Sequence, residues 1–193
     1  MKQRTAASMT VAAILLVVQA RAEDNYTADK SHAYIGFSIS HMVISKVKGN
    51  FDAFEASLSL EDGKLTDAKA TIQVDSIDTD NVKRDKHLKS ADFFDAEQFP
   101  EIKFETKTIE AKNGTGVITG NLTLHGVTKQ VSLPYTVKGP VIDPWGNTKL
   151  GFEATTTIDR TEFGLKWSQA LETGGLVVGN EVDISIDVEF AKQ

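Results

Sequence analysis

From Glu181 to Phe190 the chain alternates without a fault. Val182, Ile184, Ile186, Val188 and Phe190 fall on one side, Asp183, Ser185, Asp187 and Glu189 on the other. A period of two marks a β-strand with one dry face and one wet face. The pattern recurs along the chain. Ala33, Ile35, Phe37 and Ile39 form an early strand. Lys46 to Leu60 forms the next, and its phase slips between Phe51 and Phe54, which predicts a bulge near Asp52-Ala53. Phe54, Ala56, Leu58 and Leu60 then share a face. Ala68, Ala70, Ile72, Val74 and Ser76 follow, then Ile102, Phe104, Thr106 and Thr108, then Ile118, Gly120, Leu122 and Leu124. Val131, Leu133, Tyr135 and Val137 come next, with Pro134 tolerated at an edge or bulge. Leu150, Phe152, Ala154, Thr156 and Ile158 precede the closing strand.

Turn signals separate these runs: Glu61 to Lys64, Asn113-Gly114, His125-Gly126, and Asp143 to Asn147. Asp80 to Ala91 breaks the rhythm. Asp80 reads as the cap of a short helix, with Val82, Leu88 and Ala91 near helical spacing. Thr161 to Gly179 reads as irregular or briefly helical. Eight one-sided strands, without a set of long helices to cover them, bury their dry faces most simply by closing on themselves. Sequential hairpins favour an all-β, eight-stranded antiparallel up-and-down barrel with one short helix. A two-sheet sandwich is the second solution.

The first residues read as a targeting segment. Lys2 and Arg4 precede an apolar run from Met9 to Val18, and Ala20-Arg21-Ala22 fits a small-x-small cleavage site. Residues 1–22 are therefore expected to be a cleaved signal peptide, and residues 23–193 a single exported domain. That stretch carries 18 basic and 27 acidic residues, a charge of −9. An acidic surface argues against nucleic acid and anionic membrane surfaces as partners. The absence of cysteine excludes thiol catalysis, thiolate metal sites and a lipid-modified N-terminal cysteine. Asn25, Asn113 and Asn121 each begin an Asn-x-Thr sequon, read as chance matches.

The inward positions carry the chemistry. Ile35, Phe37, Ile39, Phe54, Leu58, Ile72, Val74, Phe104, Leu122, Leu124, Leu133, Phe152, Ile158, Ile184, Ile186 and Val188 are all uncharged. Such an interior offers few groups to orient a reacting substrate. It suits a long hydrocarbon guest or a plain packed core. The histidines His32, His41, His87 and His125 lack the i, i+4 spacing of a helical zinc motif, so no metal site is expected. Asp85, His87 and Ser90 lie too close together on one short helix to form a triad, and that helix reads as a lid or strut. Arg160 either meets a polar head group at a cavity mouth or pins a barrel corner in an ion pair; the second reading is favoured. Trp145 and Trp167 either rim an opening or plug an end. His87, Phe94, Trp145, Arg160 and Trp167 are the candidate mouth, and no catalytic residue is assigned.

Several segments then carry a family resemblance. Arg84 to Asp95 (RDKHLKSADFFD), Phe99 to Phe104 (FPEIKF), Gly120 to Lys129 (GNLTLHGVTK) and Asp159 to Leu165 (DRTEFGL) stand in order along the chain. With Asp29 to Ala33 and His41-Met42, they resemble the hallmarks of the YceI-like family. The resemblance implies an extended lipocalin-like barrel, export to the periplasm, and a long apolar tunnel for a polyisoprenoid chain, an isoprenoid quinone or a fatty amide. It also implies association with cytochrome b561-like membrane proteins, and it brings no agreed catalytic residues. The expected function is a non-enzymatic periplasmic carrier of a long-chain isoprenoid lipid, with no cofactor other than a bound quinone or polyprenyl lipid. An enzyme acting on that lipid through His87, His41 or Arg160 is one alternative. A ligand-free envelope stress or interaction protein is another. An exposed strand edge or an open tunnel mouth would favour a homodimer.

Overall fold

The computed structural model describes residues 23–172 and 174–193. The expected signal segment, residues 1–22, lies outside the described residues. The alternating runs form β1 (Glu23–His41), β2 (Ser45–Phe51), β3 (Phe54–Glu61), β4 (Lys64–Gln73), β5 (Ile77–Asp78), β6 (Glu101–Lys112), β7 (Thr115–Leu124), β8 (Val127–Ile142), β9 (Thr148–Asp159) and β10 (Val178–Lys192). β2 and β3 are one stave along β1, broken at Asp52-Ala53 where the phase slip predicts a bulge. β4 and β5 are a second stave, interrupted by a 3-10 turn at Val74–Ser76. The result is eight antiparallel staves, and β10 pairs with β1 to close the barrel. Closure satisfies the backbone groups that the two outermost strands of an open sheet would leave bare.

The ladder between β8 and β9 is incomplete. It runs from Ile142↔Thr148 to Tyr135↔Ala154 and stops there. Val137 donates its N–H to Gly114 O on the β7 side. By alternation, position 134 faces β9, and Pro134 has no N–H to give. Beyond it the Thr156 hydroxyl donates to Ser132 O at 2.9 Å, and Lys129 pairs with Glu162 at 3.0 Å.

Two apolar clusters divide the interior. Tyr26, Ile118, Tyr135, Leu150 and Phe190 pack with their neighbours around one end of the barrel, all fully buried. Phe51, Val74, Ile77, Ala96, Ile102, Leu124, Phe163 and Leu165 form the second cluster, near the other end. There α1 (Val82–Lys89) crosses the opening. Its cap is Asn81 and not Asp80: the Asn81 side chain accepts from Arg84 N at 3.0 Å. Asp80 instead takes a left-handed backbone (φ 58°) and donates its own N–H to Asp78. Val82, one of the three apolar residues near helical spacing, points to solvent, 87 % exposed.

One turn stands apart. Asp62-Gly63, Asn113-Gly114 and His125-Gly126 are two-residue hairpin turns in which both residues have positive φ, with glycine second. Glycine adopts that backbone at no steric cost. The β1–β2 turn, Met42–Ile44, also begins with two positive φ values, 51° and 66°, but its second residue is Val43. For a β-branched L-residue that conformation costs about 1–2 kcal/mol.

On the outer surface Lys149 of β9 reaches Asp29 of β1. With the Ser31 hydroxyl and amide, it holds the Asp29 carboxyl well below the usual carboxylate range. The folded state therefore favours the ionised form. That stabilisation is present above the ordinary aspartate value of about 4 and is lost as pH falls further into acid. Asp29→Asn should cost no more than about 1 kcal/mol at neutral pH. The gap from the native protein should close in strong acid, as read by urea denaturation at the two pH values.

Candidate functional site

The inward faces of the staves enclose a cavity of about 670 Å³. That volume lies in the range of small-molecule pockets, and the wall is overwhelmingly apolar. Ile35, Phe37, Ile39, Leu58, Ile72, Phe104, Leu122, Leu124, Leu133, Phe152, Ile158, Ile184, Ile186 and Val188 all line it. Beyond Phe152 and Val188 the buried Tyr26, Ile118, Tyr135, Leu150 and Phe190 fill the barrel without reaching the wall. The cavity is therefore blind at that end.

Three residues expected at the site lie elsewhere. Val74 belongs to the 3-10 turn that breaks the alternation of its strand; its N–H bonds Pro100 O and its side chain is consumed in the second cluster. Phe54 follows the Asp52-Ala53 break and packs in the first cluster. Phe51, before the break, takes the wall instead. Trp145 sits 84 % exposed in the β8–β9 turn, at the closed end of the barrel. A long hairpin carries it away from the opening that Asp159 and Val127 border.

At the open end most of the polar lining gathers: Ser40, His41, Asn81, Lys83, Arg84, His87 and Arg160, while Lys69 of β4 and Thr156 of β9 line the cavity along the staves. Phe93, Phe94, Trp167, Val177 and Val178 stand among them. The His87 ring meets Phe93 and Trp167 edge-on, with centroids 5.1 and 5.3 Å away. Its Nε2 lies 2.8 Å from Asp92 Oδ2. Asp85 accepts from the Thr79 amide and hydroxyl, at 3.0 and 2.5 Å, and the Ser90 hydroxyl donates to His87 O. The side chains of Asp85, His87 and Ser90 thus serve the local fold separately. Arg84 donates to the Thr79 hydroxyl at 2.7 Å and to Thr79 O at 2.6 Å, tying α1 to the end of its stave.

Arg160 is 4 % exposed. Its Nε donates to Gly179 O at 2.8 Å, Nη1 to Leu165 O, and Nη2 to Val178 O at 3.4 Å. Burial pushes its pKa down, and neighbouring Asp159 opposes the shift. No carboxylate pairs with it among the described residues. Arg160 pins a corner, as its structural reading expects, but through three carbonyls and not through an ion pair. Asp159 is occupied in capping, accepting from the Thr161 amide and hydroxyl.

Alternation alone misses Phe93, Leu165, Val177 and Val178, because they come from loops and a strand end folded over the mouth. Val131 and Val182 lie on predicted strands and line the wall, so their periodicity carried a usable signal. Away from the cavity, ligand atoms of Asp29, His32 and Glu189 come within 4.8 Å of one another on the surface. Lys149 already occupies Asp29. No helix among the described residues is long and apolar enough to cross a membrane.

A closed antiparallel barrel with a blind apolar interior and one polar-rimmed end belongs to the lipocalin-like class of β-barrels. Residues 26–190 match the YceI-like domain, and the chain belongs to the YceI-like family. A UPF0312 protein of Staphylococcus aureus (strain bovine RF122 / ET3-1) is 38% identical over 170 residues, covering 86% of this chain and 97% of that protein. The YceI protein of Campylobacter jejuni is 32% identical with a TM-score of 0.71, covering 80% of this chain and 90% of that one. A polyisoprenoid binding domain from Saccharophagus degradans shares the fold alone: TM-score 0.65 at 12% identity, covering 88% of this chain and 98% of that domain.

Proposed function

We propose that the protein is a non-enzymatic binding protein for a long-chain isoprenoid lipid, a polyprenol or an isoprenoid quinone, held with its tail in the blind cavity. The observation that carries this reading is the segregation of the wall. Its depth is almost wholly apolar, with Lys69 and Thr156 the polar exceptions along the staves, and most of its polar groups collect at the open end. An amphiphile with a long tail and a small head matches that distribution. Each methylene moved from water into the cavity contributes about 0.8 kcal/mol, so binding needs few polar contacts. The likeness in fold to a polyisoprenoid binding domain supports the same class of guest.

The polar rim supports binding over catalysis. Arg160, Arg84 and His87 are each committed to structural partners. The acid–base pair there, His87 with Asp92, has no nucleophilic hydroxyl hydrogen-bonded to its ring among the described residues. The apolar run and cleavage pattern of residues 1–22 support export to the periplasm. A cytochrome b561-like membrane protein is the partner class that a quinone guest would fit.

Trp167 at the mouth provides the test. In a Trp145→Phe background it is the remaining tryptophan. Adding a polyprenol or an isoprenoid quinone should change its fluorescence saturably, near one guest per barrel. A flat titration with both would overturn the reading.

A further inference from the structure

The rim of the cavity carries apolar side chains that the barrel does not use. Ile44 and Val82 are 85 % and 87 % exposed, Val43 is 66 % exposed, and Met42 and Leu176 are partly exposed. They come from three segments that meet at the mouth. His41 and Val177 line the cavity, and their chain neighbours Met42 and Leu176 stand just outside it. Met42 N donates to Val177 O at 2.8 Å, and Val43 lies over Gly175. Asn81 and Lys83 also line the cavity, and Val82 between them faces out.

The β1–β2 turn makes this arrangement more than an accident of exposure. It holds Val43 in a backbone that the other left-handed turns give to glycine. Strain retained at an exposed site points to a use for the side chain. On α1, Val82, Lys86 and Lys89 share one face (i, i+4, i+7). Lys83, Lys86 and Lys89 have no ion-pair partner among the described residues. The overall negative charge disfavours broad contact with an anionic surface, but this helix face is locally basic. The exposed carboxylates of Asp80 and Glu172 adjoin the rim, so attraction to phosphate rests on the helix face and not on the whole end.

We propose that the mouth end docks on a phospholipid bilayer, with Met42, Val43, Ile44, Val82 and Leu176 entering the interface and the α1 lysines meeting lipid phosphates. Apolar residues flanked by lysines are the chemistry of interfacial binding. Docked this way, the cavity opens directly onto the hydrocarbon, and an apolar tail passes between membrane and barrel without crossing water. This deepens the carrier reading and rests on it for its purpose.

The test is co-sedimentation with vesicles of phosphatidylethanolamine in excess over phosphatidylglycerol. The key variant is Met42→Asn with Val43→Gly, which places the residue pair of Asn113-Gly114 at the two left-handed positions of the β1–β2 turn. Relieving the strained turn should leave thermal stability equal or higher, while vesicle affinity falls about tenfold. Val82→Asp should weaken binding similarly. Trp145→Asp, at the closed end, should leave it unchanged. Native protein that stays in the supernatant overturns the proposal. So does a turn variant that binds as well as the native protein, or a Trp145→Asp variant that loses as much binding as the rim variants. Organic extraction of the same samples tests the carrier reading separately: lipid-free protein that still binds vesicles through the rim would fail that reading and leave the docking surface standing.

Discussion

Replacing Ile184 with Asp should strip bound lipid from the protein while leaving the barrel folded. Ile184 lies on β10 between Phe37 of β1 and Thr156 of β9, and all three line the cavity. Its side chain faces the space a guest would fill and not the packed clusters. In the empty barrel an aspartate there can stay hydrated, so the cost to stability is modest, about 1–2 kcal/mol. With a hydrocarbon in place the carboxylate must lose its water, at a cost of several kcal/mol. Lipid per protein should fall at least tenfold, since about 1.4 kcal/mol already suffices for that factor. Leu122→Trp tests the same space without a charge, by filling it. Folded variants of both kinds with native lipid content would show that the guest sits elsewhere.

The largest loss of stability should come from Arg160→Ala. The guanidinium satisfies the carbonyls of Gly179, Leu165 and Val178, which belong to the start of β10 and the loop before it. An orphaned buried carbonyl costs about 1–3 kcal/mol, and water entering from the mouth recovers part of that. The expected loss is about 2–4 kcal/mol, read as a shift of the urea midpoint at constant m. Arg160→Lys keeps the charge but not the planar fork, and should recover less than half of it. An ion-pair corner would make Asp159→Asn equally damaging. Here Asp159 only caps the Thr161 turn, and asparagine accepts the same N–H, so that change should cost under about 1 kcal/mol.

The barrel was legible in the sequence because one-sided strands repeat their period at nearly every stave. Even the break at Asp52-Ala53 shows as a slip of phase. The period fails where local geometry overrides it. The 3-10 turn at Val74–Ser76 turns Val74 out of the wall, and Asn81 displaces Asp80 as the cap because its side chain reaches Arg84 N. Trp145 lies away from the mouth expected for it, because alternation says nothing about which hairpin end faces the opening. Arg160 illustrates a different limit. Its place near a corner is readable, but its partners are carbonyls, which every residue carries and no sequence pattern marks. The mouth itself is built from loop residues such as Phe93 and Val177, where no period operates.

The central claim is that the blind cavity holds a long apolar guest. Native mass spectrometry of the protein purified from its own cells, followed by organic extraction, tests it most directly. The account predicts one prenyl lipid or isoprenoid quinone per barrel, absent from the Ile184→Asp variant. A clean apo mass, with no uptake of added polyprenol or quinone, would contradict it.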